Sequence, residues 1–277
     1  MAQTRRSRRS RRRRKNSSLI GLVFVILCLV VLAILANPSR RNELPPSAVE
    51  TEPPRPAANP FSPEDFFLDS RGYMTCSAAK TMLGVDVSEH QQEIDWAKVA
   101  EAGIEFAYIR VGYRGYDQGG IHLDEFFERN YAGASAAGLK IGVYFYSQAI
   151  SPEEANEEAQ FVRKTLGDRK PDLPIVYDWE WVSEEARTGQ MTSEGVTACT
   201  DAFCKAVQKA GYDAAFYFNQ ELASRMFRLG ELTSYPFWIA QYEDALTFAY
   251  EVKLWQYTAS GSVPGISGSV DMNLYFE

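Results

Sequence analysis

Between residues 81 and 277 short apolar runs alternate with helical patterns, and this alternation constrains the fold more than any other feature of the chain. Strand-like runs fall at 82–87, 105–111, 139–146, 174–180, 214–218, 237–241, 252–257 and 269–274. Helical patterns fill the early gaps, around 92–102, 123–137, 152–166, 193–210 and 220–229. The third is the best marked. Ser151 supplies an N-cap, Pro152 the first helical position and Glu154 a capping-box partner. Gly103, Gly138, Gly167 and Gly211 stand where helices should stop. Strands alternating with helices predict a parallel sheet with helical crossovers. Eight strands in roughly 195 residues fit a small (β/α) barrel of the TIM type, with its chemistry at the C-terminal ends of the strands. The last three runs leave no room for full helices between them. The fold expected is therefore an α/β chain forming an irregular barrel of eight strands and about five helices.

The amino terminus has a different character. Its first fifteen residues carry eight Arg, one Lys and no acid. Taking these nine from 29 basic residues leaves 20 against 36 acidic ones, so the formal charge of -7 hides -16 on the remainder. The basic run directly precedes 19–36, eighteen residues without a charge. As a helix that stretch spans about 27 Å, enough to cross the core of a bilayer. Positive charge on one flank predicts that this flank stays in the cytoplasm. The basic run is a topology signal in this interpretation, and no nucleic-acid partner is expected. Ile34-Leu35-Ala36 lacks the small residue wanted three positions before a signal-peptide cut, which favours a retained anchor. The expected organisation is a basic cytoplasmic tail over 1–18, a single transmembrane helix over 19–36 and a Pro-rich extracytoplasmic spacer over 37–80. A catalytic domain over 81–277 then lies outside the cell membrane.

Cysteine and histidine exclude other classes. Cys28 lies in the apolar segment. Cys199 and Cys204 are five apart in a helical pattern, about 7.5 Å by rise alone, too far for a disulfide. A partner for Cys76 is left open. The two histidines, His90 and His122, are far apart in sequence, so neither a His-based metal site nor a cofactor is expected.

Asp178-Trp179-Glu180 closes the apolar run Pro174-Ile175-Val176-Tyr177. On a strand Asp178 and Glu180 point to one face, about 6.6 Å apart along it. Two such carboxylates suit acid-catalysed cleavage of a glycosidic bond. One is held neutral as the acid while the other stays charged and stabilises a positive sugar. Asp86 on the first strand and Asp271 on the eighth join them, since those strands are neighbours in a closed barrel. Like charges in one pocket raise at least one pKa. Each acid alone also suits a helix cap or a turn, Asp86 in Asp-Val-Ser above all. Tyr113, Tyr144, Tyr146 and Trp238 stand near strand ends, where rings stack on sugar faces or pack a core. Gln241 and Gln256 break apolar runs there. They suit recognition of hydroxyl or acetamide groups, or a satisfied core hydrogen bond.

The run Gly84-Val85-Asp86-Val87-Ser88-Glu89-His90-Gln91, followed by Ile94-Asp95-Trp96, resembles the opening motif of glycoside hydrolase family 25. Further landmarks of that family follow in order: Tyr108-Ile109-Arg110, Gly142-Val143-Tyr144-Phe145-Tyr146, the Asp178/Glu180 pair, Trp238-Ile239-Ala240-Gln241-Tyr242, Trp255-Gln256-Tyr257 and Val270-Asp271-Met272-Asn273. The resemblance covers about 81–277. It implies an irregular barrel of eight strands and five helices, and lysozyme (N-acetylmuramidase) activity on peptidoglycan glycan strands. It also implies roles. Glu180 matches the general acid, and Asp178 the residue that orients the substrate's own acetamide for attack on the anomeric carbon. Asp86 and Asp271 match supporting carboxylates. Gln92 stands where the family often has Gly, and Phe145 where many members differ. A monomer is expected. Two alternatives remain at this point, a non-catalytic wall-binding domain on the same scaffold and a chitinase-like glycosidase.

Overall fold

A computed structural model describes residues 54–277 of the chain. The basic tail, the expected transmembrane helix over 19–36 and the first part of the spacer lie outside the described residues. Among the described residues no helix is long and apolar enough to cross a membrane.

Eleven strands are present among the described residues: β1 (Phe66–Leu68), β2 (Met74–Cys76), β3 (Thr81–Val87), β4 (Phe106–Arg114), β5 (Ile121–Leu123), β6 (Lys140–Ser147), β7 (Ile175–Trp179), β8 (Ala214–Asn219), β9 (Phe237–Ala240), β10 (Leu254–Gly261) and β11 (Val270–Phe276). Eight close into a barrel in the order β3-β4-β6-β7-β8-β9-β10-β11, and β11 pairs back onto β3. The short β5 folds antiparallel onto the end of β4. Five α-helices fill the early crossovers: α1 (Trp96–Glu101), α2 (Phe127–Ala136), α3 (Pro152–Leu166), α4 (Ser193–Lys209) and α5 (Gln220–Arg225).

Local chemistry sets the helix ends. The Ser151 hydroxyl accepts the Glu154 N–H at the start of α3, and Thr192 does the same for Gly195 at α4. Ala155, Ala159, Val162 and Leu166 of α3 are buried with Val196, Phe203 and Val207 of α4 in the layer between barrel and helices. Each large apolar side chain so buried contributes about 1.5–3 kcal/mol.

Inside the barrel lies a second core. Met82, Phe106, Tyr108, Val176, Ala215, Trp238 and Leu254 face one another there. Glycine makes the room. A Cβ on Gly84 would lie 2.3 Å from the Phe106 ring, and one on Gly142 would lie 2.4 Å from the Tyr108 ring.

Two expectations change. The eight-stranded barrel is parallel except at β11, which runs antiparallel to both β10 and β3. No helix separates β9, β10 and β11, and an eight-residue loop between the last two is long enough only for a reversal of direction. The spacer also ends earlier than residue 80. Ala58 bridges Tyr250, and Asn59 donates to the Phe248 carbonyl at 2.9 Å. Phe61 stacks on Phe276 at 4.8 Å between centroids, and Phe66 meets Trp255 edge-on at 5.0 Å. The reason is the missing crossover helices. The outer rings of β10 and β11 would face water, and the β1–β2 hairpin covers them. Cys76, Cys199 and Cys204 are all buried free thiols.

Candidate active site

Side chains on each stave alternate between the barrel interior and the helix layer. At one end of the barrel the inward positions turn polar. Asp86, Arg110, Asp178, Tyr217, Gln256 and Asp271 there line a cleft of about 760 Å³. Asp178 is the inward residue between Val176 and Glu180, while Tyr177 and Trp179 pack outward. Asp271 comes second in β11, and only the antiparallel direction of that strand puts its start at the cleft end of the barrel. There it stands directly opposite Asp86 in the register.

A directed hydrogen-bond network converges on one oxygen of Asp86. The Trp238 indole, which can only donate, gives its N–H to Asn273 Oδ1 at 2.9 Å. This turns the Asn273 amide so that Nδ2 donates to Asp86 Oδ2 at 2.7 Å. Gln256 Nε2 donates to the same oxygen at 2.8 Å. Gln256 Oε1 in turn accepts the hydroxyls of Tyr217 at 3.1 Å and Tyr242 at 2.9 Å. Burial above all, and then Asp271, still push the Asp86 carboxyl up to about 8, against its two amide donors.

Asp178 has a different environment. It is buried, and its Oδ1 has no hydrogen-bond partner. Burial first, then the charges of Glu180 and Asp86, hold its carboxyl well above the ordinary range, while Arg110 pulls the other way. Arg110 is itself fixed by Asp124 at 2.8 Å and Glu89 at 3.1 Å, with its guanidinium 5.1 Å from the Tyr113 ring centroid. Glu180 lies one residue beyond β7 and is partly open to the cleft. Burial and then Asp271 raise its carboxyl. Burial also raises Asp271. Four carboxyls thus share a cleft that does not favour four charges, and at least one proton is retained among them near neutral pH.

The four expected acids therefore meet, and Tyr113, Tyr144, Tyr146, Trp238 and Gln256 line the same cleft. Tyr113 faces it because a register shift between Arg110 and Gly112 reverses the alternation of β4. Gln241 is a correction. It follows the inward residue Ala240, so its side chain points away from the cleft. Its Oε1 accepts the N–H groups of Thr247 and Phe248, and its Nε2 donates to Glu243. Gln241 thus closes the loop over 241–248. Arg110, Tyr217 and Asn273 were not selected as site residues from the sequence. Period-two counting finds each of them: Arg110 from Tyr108, Asn273 from Asp271, and Tyr217 from Ala215. His90 and His122 both reach the cleft wall, where His122 stacks on Tyr113. Among the described residues no His, Cys, Asp or Glu group is arranged to hold a metal.

Gln92, beside the cleft residue Gln91, has φ 55 and ψ -132. It is the one non-glycine residue with positive φ among those described. Such a conformation suits Gly, which is the residue the resemblance leads one to expect there.

A family model described as glycosyl hydrolases family 25 matches residues 85–266. The chain belongs to this family. It is a glycoside hydrolase by that membership, and the family 25 segment includes Asp86, Asp178 and Glu180. Asp271 and the β1–β2 hairpin lie outside the matched residues. The chain is 30% identical to an autolytic lysozyme of Clostridium acetobutylicum, over 71% of this chain and 56% of that protein. A bacterial lysozyme of Streptomyces coelicolor superposes with a TM-score of 0.55 at 26% identity, over 70% of this chain and 91% of that one. The modular autolysin LytC of Streptococcus pneumoniae shares the fold, with a TM-score of 0.65 at 24% identity. That match spans 76% of this chain and only 50% of LytC.

Proposed function

We propose that this family 25 chain is a membrane-tethered muramidase. Its reaction is hydrolysis of the β-1,4 bond between N-acetylmuramic acid and N-acetylglucosamine in peptidoglycan. The observation that carries this is a pair of unlike carboxyls in one cleft. Glu180 is partly exposed and biased toward its neutral form. Asp178 is buried with an oxygen that lacks a donor. The lysozymes among its relatives support the substrate class.

Glu180 gives its proton to the glycosidic oxygen as the bond from that oxygen to the anomeric carbon breaks. The substrate's acetamide carbonyl oxygen bonds to the anomeric carbon and forms a cyclic oxazolinium ion. The acetamide N–H supplies the donor that Asp178 Oδ1 lacks, and the Asp178 carboxylate offsets positive charge developing on that nitrogen. Arg110 favours this ionised form. Water then attacks the anomeric carbon, reopens the ring and loses its proton to the Glu180 carboxylate. Both enzyme groups return to their starting states. Asp271 helps to hold the proton on Glu180, and Asp86 anchors the tyrosine and amide network around them.

Mass spectrometry of digested peptidoglycan tests the bond cleaved. Reducing N-acetylmuramic acid ends are expected. Reducing N-acetylglucosamine ends would mean that the other linkage is cut.

The tether rests on the nine basic residues ahead of the uncharged stretch 19–36. Alkaline carbonate is expected to leave the full chain in the membrane fraction, and external protease on protoplasts to remove the catalytic domain. A soluble form beginning near Asn37 would replace the anchor with a cleaved signal.

A further inference from the structure

β6 and β7 run side by side as far as the pair Ser147 and Trp179. Glu180 is the next residue, so the sheet ladder ends just before it. The next residue on β6's side is Gln148, fully buried. Its side chain takes over where the ladder stops. Gln148 Nε2 donates to the Glu180 backbone carbonyl at 2.8 Å, and to the Ser147 carbonyl at 3.0 Å. Thr188 Oγ1 donates to Gln148 Oε1 at 2.8 Å, which fixes the amide's orientation. Arg187 Nη1 donates to the Gln148 carbonyl at 2.6 Å. The same guanidinium grips Glu154 at the start of α3 with two contacts of 2.6 and 2.7 Å. The Arg187 backbone N–H reaches the Tyr116 carbonyl at 3.0 Å, so the clasp also ties down the loop over 115–120.

We infer that Gln148, oriented by Thr188 and clamped by Arg187 and Glu154, is a positioning residue that sets where the Glu180 carboxyl stands in the cleft. This rests on the reading of Glu180 as the general acid. The physical need is plain. A residue beyond the last ladder bond has a free carbonyl and a free ψ. A proton donor misplaced by about 1 Å can lose on the order of 10²-fold in rate. Among the described residues no side-chain hydrogen bond fixes the Glu180 carboxyl, so its backbone anchor sets where it starts from. A purely structural polar contact would instead serve the stability of the loop over 181–190 and leave the chemistry alone.

The test uses the full-length protein on purified glycan strands. Gln148→Met keeps the length of the side chain and removes both its donor and its acceptor. Its kcat is expected to fall by about 10- to 100-fold, with KM changed by less than about 3-fold. Thr188→Val keeps shape and removes only the orienting O–H. It is expected to lose roughly 5-fold in kcat, the worth of one hydrogen bond. That variant carries the test if Gln148→Met does not fold. Val207→Ala on α4, buried far from the clasp, is the control for general loosening and is expected to keep its kcat below its melting temperature. Wild-type kcat in both clasp variants, beside an inactive Glu180→Gln, would overturn the inference and leave the mechanism standing. An equal loss of kcat in Val207→Ala would also overturn it, since the effect would then be one of stability. An active Glu180→Gln would instead remove the reading beneath it.

Discussion

Glu180→Gln is expected to lower kcat on glycan strands by about 10²- to 10⁴-fold while the barrel stays folded. The substitution keeps the shape of the side chain and removes the proton it donates. The sign of the pH effect follows from the same group. Burial first, and Asp271 second, hold its carboxyl above the ordinary value of 4.5. A general acid works while protonated. Activity is therefore present below the raised pKa and lost as pH rises through it, so the alkaline limb of kcat/KM lies above 4.5. Stability has the same sign. The folded state holds a proton that the unfolded chain releases, so stability falls as pH climbs from the ordinary carboxylate range through the raised one. Glu180→Gln removes that loss. At pH 7 the variant is expected to melt higher, by about 2–4 °C for each kcal/mol relieved. Wild-type turnover in this variant, measured on muropeptides, would take Glu180 out of the mechanism.

Removing the N-acetyl group from the sugar at the cleavage point is expected to reduce kcat more than any contact mutation at the rim. If the acetamide is the nucleophile, its loss removes an intramolecular attack whose effective molarity reaches about 10⁵ M or more. The wall around the cleft, with Tyr113, Tyr144, Tyr146 and Trp238, is unchanged, so KM should move far less than kcat. Asp178 sharpens the expectation. Its unpartnered Oδ1 then finds no N–H and stays a buried carboxyl that burial and Glu180 drive toward neutrality. Matched oligomers with and without that acetyl group decide the matter. Equal kcat on both would sink substrate assistance while leaving the glycosidase assignment in place.

Much of the site was legible because period two is a local property. Asp178 and Glu180 had to share a face, and the strand that carries them was evident from its apolar run. Gln241 suggests itself as a cleft residue because it breaks an apolar run, although period two counted from Trp238 and Ala240 already turns it away from the cleft. The chain leaves β9 after Ala240, and the amide turns outward to close its own loop. Tyr113 shows the reverse case, a residue brought to the cleft by a shift in register that no local pattern announces. The N-terminal boundary failed for another reason. Prolines made 37–80 look like a spacer, yet Phe61 and Phe66 have a place to go only because β10 and β11 lack helices over them.

By itself the sequence determined the alternation of strands and helices, the five helix positions and the acids at strand ends. These depend on side-chain periodicity and capping within a few residues. It also determined the charge asymmetry ahead of 19–36, which is composition alone. The tertiary structure alone decided the direction of β11. A parallel last strand would carry Asp271 to the far end of the barrel, whereas the antiparallel one sets it against Asp86. Tertiary structure likewise made the carboxyls unlike. Asp86 receives two amide donors, Asn273 oriented by Trp238 and Gln256 oriented by Tyr217 and Tyr242, while Asp178 Oδ1 receives none. Burial and the geometry of neighbouring donors set the free energy of each charge, and both arise only when distant strands meet.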